Sequence, residues 1–269
     1  MPFNTYSIHE LVAVLLTYAL AVLFFMVYWT RGHKMQDLLF ANMVAATAGI
    51  CLAIFQADNV VVVGSGEAGW AAPSGAPEKT LLWIRLMYTF ALVALVCMLH
   101  FVVRYSRSRS RLAGRIGWAY VVALPLIALV WSGGFARVRE AEGLVDQAAP
   151  LSWTNCFPYM PDLHPAGVGV FLLTWLAVHV YCQVVLWRYD ASGRCPEEAT
   201  GRLGLIRLAL VVMAGGVLID VVAVALLGYR GLSFIPFFSV LMSVFVGGAL
   251  LQDHREAKRA SRTTGAVTW

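Results

Sequence analysis

The sequence is poor in charge, and above all in lysine. Only 13% of its 269 residues are charged whereas 60% are hydrophobic, and its lysines are Lys34, Lys79 and Lys258. A soluble domain covers its surface with more polar groups than this, so the composition indicates an integral membrane protein. The lysine shortage also excludes a retinal protein, because a Schiff base needs a lysine inside the bundle and these three lie in flanks or loops.

Cysteine pairs and catalytic motifs are also missing. The five cysteines show no CxxC or mixed Cys–His spacing, so we expect neither a disulfide nor a zinc or iron–sulfur site. The sequence contains no HExxH and no GxSxG. We therefore expect a protein that is not an enzyme and that holds no metal and no cofactor.

Two patterns imitate cofactor sites. Gly64, Gly66 and Gly69 have the GxGxxG spacing, but the residues that follow, AAPSGAPEKT, are not expected to begin, directly after these glycines, the helix that a dinucleotide-binding turn requires. His100 and His179 lie on apolar runs, yet their predicted depths differ by roughly 10 Å, so they are not expected to ligate one haem.

Long apolar runs fill most of the chain. A run of about 20 residues crosses a hydrocarbon core of ~30 Å. The first run is no cleavable signal, because the leader MPFNTYSIHE carries no positive charge. The pattern predicts an all-α, seven-transmembrane helix bundle over residues 1–252 and a short basic tail over 253–269. The predicted spans are Ile8–Trp29, Leu38–Ala57, Leu81–Val103, Ile116–Phe135, Val168–Trp187, Leu203–Leu227 and Leu232–Leu251.

The distribution of Lys and Arg predicts the orientation. Fifteen of them fall in the connections on one side of the predicted bundle and four on the other, with Arg85 inside a span. By the positive-inside rule the N-terminus is outside and the C-terminus is cytoplasmic. Anionic lipid headgroups account for the basic inner face, including RYSRSRSRLAGR, so no nucleic acid partner is expected.

Five ionisable side chains interrupt the apolar runs: Glu10, Asp58, Arg85, His179 and Asp220. Such groups are rare in lipid and usually face the bundle interior or a wet cavity. Counting along each helix places the three acids and Arg85 in the outer half. We therefore expect these four charges to neutralise one another.

Two interpretations of these residues remain open. In the first, Arg85 reaches the outer headgroups, Asp58 and Glu10 mark helix ends, and Asp220 takes Arg85 as its partner. In the second, a pocket open to the outside binds a small polar ligand through Gln56, Asp58, Arg85, His179 and Asp220. Trp175 and Gln183 join this ligand-binding set, because with His179 they are spaced i, i+4, i+8 on one helix face.

A loop and several small residues complete the prediction. The loop Ala136–Ala166 carries Trp153, Tyr159 and His164 among prolines, and it forms either a lid on the pocket or an aromatic anchor at the membrane interface. Small residues predict close helix contacts, and they are Ala214, Gly215 and Gly216 in the sixth span and Gly247 and Gly248 in the seventh.

Four segments support a resemblance to a known family. They are MLHFVVRYSR, VVLWRYDASG, RLGLIRLALVVMAGGVLIDVV and GLSFIPFFSVL. With the N-out, seven-helix topology they resemble the N-terminal seven-transmembrane sensor region of bacterial histidine kinases and related signalling proteins. The resemblance implies a bundle that senses a signal, followed by an output domain. After Leu251 the chain offers only QDHREAKRASRTTGAVTW, so we expect a sensor without its own output domain.

The predicted function is therefore a non-enzymatic, receptor-like module of the bacterial inner membrane. Its expected partners are the lipid bilayer and a cytoplasmic or membrane protein that supplies the output. The alternatives are an accessory structural subunit of a larger membrane complex and, with less support, a small transporter, since the repeated halves usual in transporters are absent.

Overall fold

The computed structural model describes residues 8–30, 33–59, 76–106, 115–137, 162–193, 200–227 and 233–263. These ranges form seven helices, which confirms the predicted all-α helical bundle. We call the end of the bundle at which α1 begins the N-terminal side, and we call the opposite end the C-terminal side. The helices are α1 (Ile8–Thr30), α2 (Met35–Asp58), α3 (Ala76–Tyr105), α4 (Gly117–Trp131), α5 (Pro165–Ala191), α6 (Thr200–Leu227) and α7 (Ile235–Thr263).

Six of these helices are long and apolar enough to cross a membrane, and α4 is the exception. The predicted span Ile116–Phe135 extends past the end of α4, which stops at Trp131 after 15 residues. A helix of that length measures about 22 Å, less than the ~30 Å of a hydrocarbon core. The sequence that stops it is Ser132-Gly133-Gly134, because glycine is a poor helix former and Ser132 is extended.

Beyond α4 the chain folds back over the N-terminal side. Strand β1 (Ala136–Arg137) pairs antiparallel with β2 (Asp162–Leu163), directly before α5. Phe135 is fully buried there and packs edge-to-face on Tyr88 of α3, with ring centroids 4.7 Å apart. At the other end of the chain, α7 continues to Thr263, so much of the predicted tail 253–269 is helical.

Helix α2 lies at the centre of the bundle. It packs against α1, α3 and α7, and 67% of its span is buried, against 28% for α1 and for α5. Phe24 of α1 packs edge-to-face on Phe40 of α2 at a centroid distance of 4.6 Å. The exposed side chains of the outer helices are largely apolar, as with Leu15 and Leu173, which fits a surface that faces lipid.

The predicted small-residue contacts are confirmed in part. A Cβ on Gly216 would overlap the Phe238 ring of α7, whereas a Cβ on Gly215 would meet nothing within 4 Å. Likewise a Cβ on Gly247 would lie 3.2 Å from the Phe24 ring, and Gly248 faces open space. One glycine of each pair therefore permits close approach of two helices.

Candidate functional site

A cavity of about 90 Å³ lies between α2, α3, α5, α6 and α7. It occupies the middle of the bundle and the part towards the N-terminal side. Its walls are largely apolar and rich in methionine, whose flexible thioether side chain adapts to irregular space. The lining methionines are Met43, Met87, Met98, Met213 and Met242.

The lining residues Thr47, Tyr88 and His179 carry a polar side-chain group at or near the cavity, and the Thr47 hydroxyl donates to the Met43 carbonyl at 2.9 Å. His179 of α5 has a ring nitrogen that is left without a partner among the described residues. Its side chain lines the cavity and is buried, with 4% of the residue exposed. Nδ1 lies 2.9 Å from the carbonyl oxygen of Trp175, so Nδ1 carries the hydrogen and donates it. Nε2 is then an acceptor, and it is buried with no hydrogen-bond partner in the described part of the chain.

Trp175 holds the imidazole in place from one helical turn away. The two rings lie 3.9 Å apart between centroids and are tilted by 38°. Trp175 itself is buried and also lines the cavity. The shared face predicted from the i, i+4 spacing is thus observed for this pair.

Gln183, two turns from Trp175, serves a different purpose. Its side-chain Nε2 donates to the backbone carbonyl of Arg207 at 3.0 Å and so joins α5 to α6. Gln56 near the end of α2 is half-buried and does not line the cavity. Neither residue contributes a polar group to the space beside His179.

Arg85 of α3 is not paired with any of the three acids. Its Nη2 donates to the backbone carbonyl of Ala136, at the start of β1, over 3.3 Å. Next to it the indole of Trp131 donates to Thr89 Oγ1 at 3.0 Å. The expectation that Arg85 neutralises the embedded acids is therefore wrong, because the guanidinium bonds to the backbone of β1 and makes no ion pair with a described acid.

Asp220 caps a helix rather than binding a cation. It accepts hydrogen bonds from Ser233 Oγ at 2.5 Å and from the backbone N–H groups of Phe234 and Ile235 at 2.9 and 3.2 Å. These donors stand at the N-terminus of α7, where backbone N–H groups have no intrahelical partner and the helix dipole favours negative charge. Asp220 on α6 therefore fixes the start of α7.

Glu10 and Asp58 form a separate pair where α1 begins and α2 ends. Glu10 is fully buried and Asp58 is 2% exposed. Their carboxyl groups lie close enough to interact with each other. None of the four oxygens accepts a bond from a donor group in the described ranges.

The proposed lid falls mostly outside what the structure describes. Trp153 and Tyr159 lie beyond the described residues. His164 is exposed and immediately precedes α5, where its backbone N–H donates to the Phe135 carbonyl at 2.8 Å. Of the predicted ligand-binding set, His179 and Trp175 line the cavity, whereas Asp58, Arg85 and Asp220 occupy three other places.

A group of contacts between acidic and basic side chains on the C-terminal side was not predicted from the sequence. His254 Nε2 of α7 lies 3.0 Å from the carboxylate of Asp37 on α2, and both side chains are buried. Arg202 of α6 is 3.1 Å from Asp253 and also contacts Glu256. No local pattern reveals the first pair, since 217 positions separate its members.

Six membrane-length apolar helices define this chain as a multi-pass integral membrane protein. No known family model matches the sequence, and a search of curated proteins finds no similar one. The resemblance to a sensor region accordingly stays a prediction, and the function is inferred from the residues of the cavity and of the two ends of the bundle.

Proposed function

We propose that this protein is a receptor-like sensor module of the bacterial inner membrane that binds a small, mainly apolar molecule in its central cavity. The observation that carries the proposal is the acceptor atom Nε2 of His179, buried without a partner in the described ranges beside a largely apolar space. A buried polar atom of this kind is normally satisfied. A ligand with one hydrogen-bond donor would satisfy it.

The walls favour a different ligand from the polar one expected from the sequence. A cavity lined by Met, Leu, Ile and aromatic side chains binds an apolar body, and a single polar group orients it. An apolar cavity of about 150 Å³ in another protein holds benzene, so a space of this size suits a very small molecule. The ligand class is thus a small ring or branched chain that carries one N–H or O–H.

The route to a partner protein starts from the helices that line the cavity. Three of the five, α2, α6 and α7, are joined on the C-terminal side by the buried contact Asp37–His254 and by Arg202 with its two acids. A ligand that changes the packing of these helices changes the geometry of those pairs. We infer from the distribution of Lys and Arg that this side faces the cytoplasm, where the module acts through a partner and performs no chemistry itself.

Binding can be tested with two rings of nearly equal size. Pyrrole has an N–H donor, whereas furan lacks one. We expect pyrrole to raise the unfolding temperature of the purified protein in detergent more than furan does, since binding to the folded state stabilises it. His179→Phe should remove the difference between the two rings. His164→Phe is the matched control, because that histidine is exposed and does not line the cavity.

A second pair of variants tests the cavity itself. Ala94→Phe places a ring in the space, whereas Val93→Phe, at the neighbouring exposed position, does not. Loss of stabilisation in the first variant alone supports the proposal. Equal stabilisation by pyrrole in the wild type and in both His179→Phe and Ala94→Phe would refute it. Co-purification with fixed partners, without any ligand effect, would favour the accessory-subunit alternative.

A further inference from the structure

The buried Glu10–Asp58 pair requires a bound positive charge to compensate its two carboxyl groups. The two carboxyl groups are almost completely buried, and within the described ranges no donor group bonds to them. Two carboxylates in contact repel each other, and in a dry environment an uncompensated ionised carboxylate carries a very large desolvation cost. The guanidinium of Arg85, the partner expected from the sequence, does not relieve this, because Arg85 Nη2 donates to Ala136.

The groups around the pair are suited to a proton rather than to a metal ion. The ionisable groups that interact with Glu10, besides Asp58, are the imidazole of His9, the Cys51 thiol and the Asp220 carboxylate. Asp220 is already satisfied by the start of α7. Within the described ranges no three His, Cys, Asp or Glu side chains come together as metal ligands, and hard cations such as Ca²⁺ take six or more oxygens.

A path from water reaches the pair on the N-terminal side. His9 Nε2 lies 3.8 Å from Glu10 Oε1, and the His9 side chain is 32% exposed whereas that of Glu10 is fully buried. An imidazole has two ring nitrogens, so one can accept a proton while the other releases one, and His9 can pass a proton between water and a buried acid. The order from solvent inward is His9, then Glu10, then Asp58.

We propose that Glu10 and Asp58 form a proton-binding site that holds one shared proton at neutral pH and exchanges it with water on the N-terminal side through His9. The proton satisfies one oxygen of each carboxyl in a single O–H···O⁻ bond, which is a strong hydrogen bond. The pair then carries one negative charge instead of two. The site is independent of the central cavity, so it stands even if that cavity binds nothing.

Infrared difference spectroscopy of the full-length protein in lipid nanodiscs tests this proposal. The wild type should show a protonated-carboxyl C=O band at neutral pH that shifts in D₂O and is lost on titration to alkaline pH. Glu10→Gln and Asp58→Asn should each remove the band, because the new amide donates to the remaining carboxylate in place of the proton. Glu78→Gln, an exposed acid near the start of α3, is the matched control and should keep it.

The double variant Glu10→Gln/Asp58→Asn guards against a misassigned band. It should lack the band and still fold, since two amides can bond to each other. His9→Gln should keep the band and slow its exchange in D₂O, which a merely structural His9 would not do. Absence of the band in the wild type, or its persistence in the single variants, would overturn the proposal. So would loss of the band when Na⁺ replaces choline at constant pH, because the site would then hold a metal cation.

Discussion

The charged side chains at the two ends of the bundle have different kinds of partner. On the C-terminal side each described acid in a close contact meets a basic side chain: Asp37 meets His254, and Asp253 and Glu256 meet Arg202. On the N-terminal side Arg85 bonds to a backbone carbonyl and Asp220 to backbone N–H groups. The oxygens of Glu10 and Asp58 accept no hydrogen bond from a donor in the described ranges, and the basic side chain beside them is His9, whose Nε2 lies 3.8 Å from Glu10 Oε1.

This difference separates contacts that stabilise the fold from buried polar groups that still lack a partner. Paired charges hold helix ends in register and require no ligand. Unpaired buried groups cost folding free energy, and proteins keep such costs mainly at functional sites. His179 Nε2 and the Glu10–Asp58 pair lie in the middle of the bundle or towards the N-terminal side. We therefore expect ligand and proton binding in the middle of the bundle and towards its N-terminal side. We expect contact with a partner protein on the C-terminal side.

The largest expected effect comes from breaking the buried pair on the C-terminal side. His254→Ala leaves the Asp37 carboxylate buried without its partner, and we expect it to lower the free energy of unfolding by about 3 kcal/mol. His254→Gln keeps a donor and should lose much less. Denaturant titration of the protein in detergent, followed by circular dichroism, measures both.

Asp190→Ala provides the control for this prediction. Asp190 lies 3.6 Å from Arg207, and more than a third of each side chain is exposed. An exposed pair contributes at most about 1 kcal/mol. Equal losses of unfolding free energy in Asp190→Ala and His254→Ala would show that burial does not strengthen the Asp37–His254 contact. The proposed difference between the two ends of the bundle would then be refuted.

An intermediate effect is expected where α6 and α7 approach closely. In Gly216→Ala the added methyl overlaps the Phe238 ring, and we expect a loss of about 2 kcal/mol in unfolding free energy, typical of overpacking. Gly215→Ala adds the same methyl into open space and should cost nothing. The same denaturant titration compares them, and identical curves would contradict the observed helix contact.

The smallest effect is expected at the cap of α7. Asp220→Ala removes an acceptor from two backbone N–H groups and a hydroxyl, and loss of such a cap costs about 1 kcal/mol. Asp220→Asn keeps an acceptor oxygen, so its free energy of unfolding should fall much less than that of Asp220→Ala. Amide hydrogen exchange at Phe234 and Ile235 gives a local readout, and unchanged protection in Asp220→Ala would argue against the cap.

Hydropathy alone predicted the helices, because crossing a bilayer imposes a length and a composition that are visible locally. It failed at α4, where Ser132-Gly133-Gly134 ends the helix inside an apolar run. Helical spacing also placed Trp175 and His179 on one buried face. It could not show that Gln183 bonds to a neighbouring helix, because that depends on the position of α6.

The partners of the embedded charges were beyond sequence reasoning. Depth estimates placed Arg85, Asp220 and Asp58 in the same outer half of the bundle. Lateral position decides which of them are in contact, and depth carries no information about lateral position. Arg85 donates a hydrogen bond to the carbonyl of Ala136, 51 positions away, and Asp37 contacts His254 on the last helix. His254, read from the sequence, is one residue in a polar tail, and only the continuation of α7 brings it to the start of α2.

The short fourth helix has a consequence for the surrounding lipid. Trp118 and Trp131 stand near its two ends, are 65% and 42% exposed, and are separated along the helix axis by about 20 Å. Indole rings settle at the boundary between headgroups and acyl chains. A bilayer that matches these two anchors must be thinner at this flank than around the other helices, so the protein would partition towards thin or short-chain membranes and would bend the leaflets beside it.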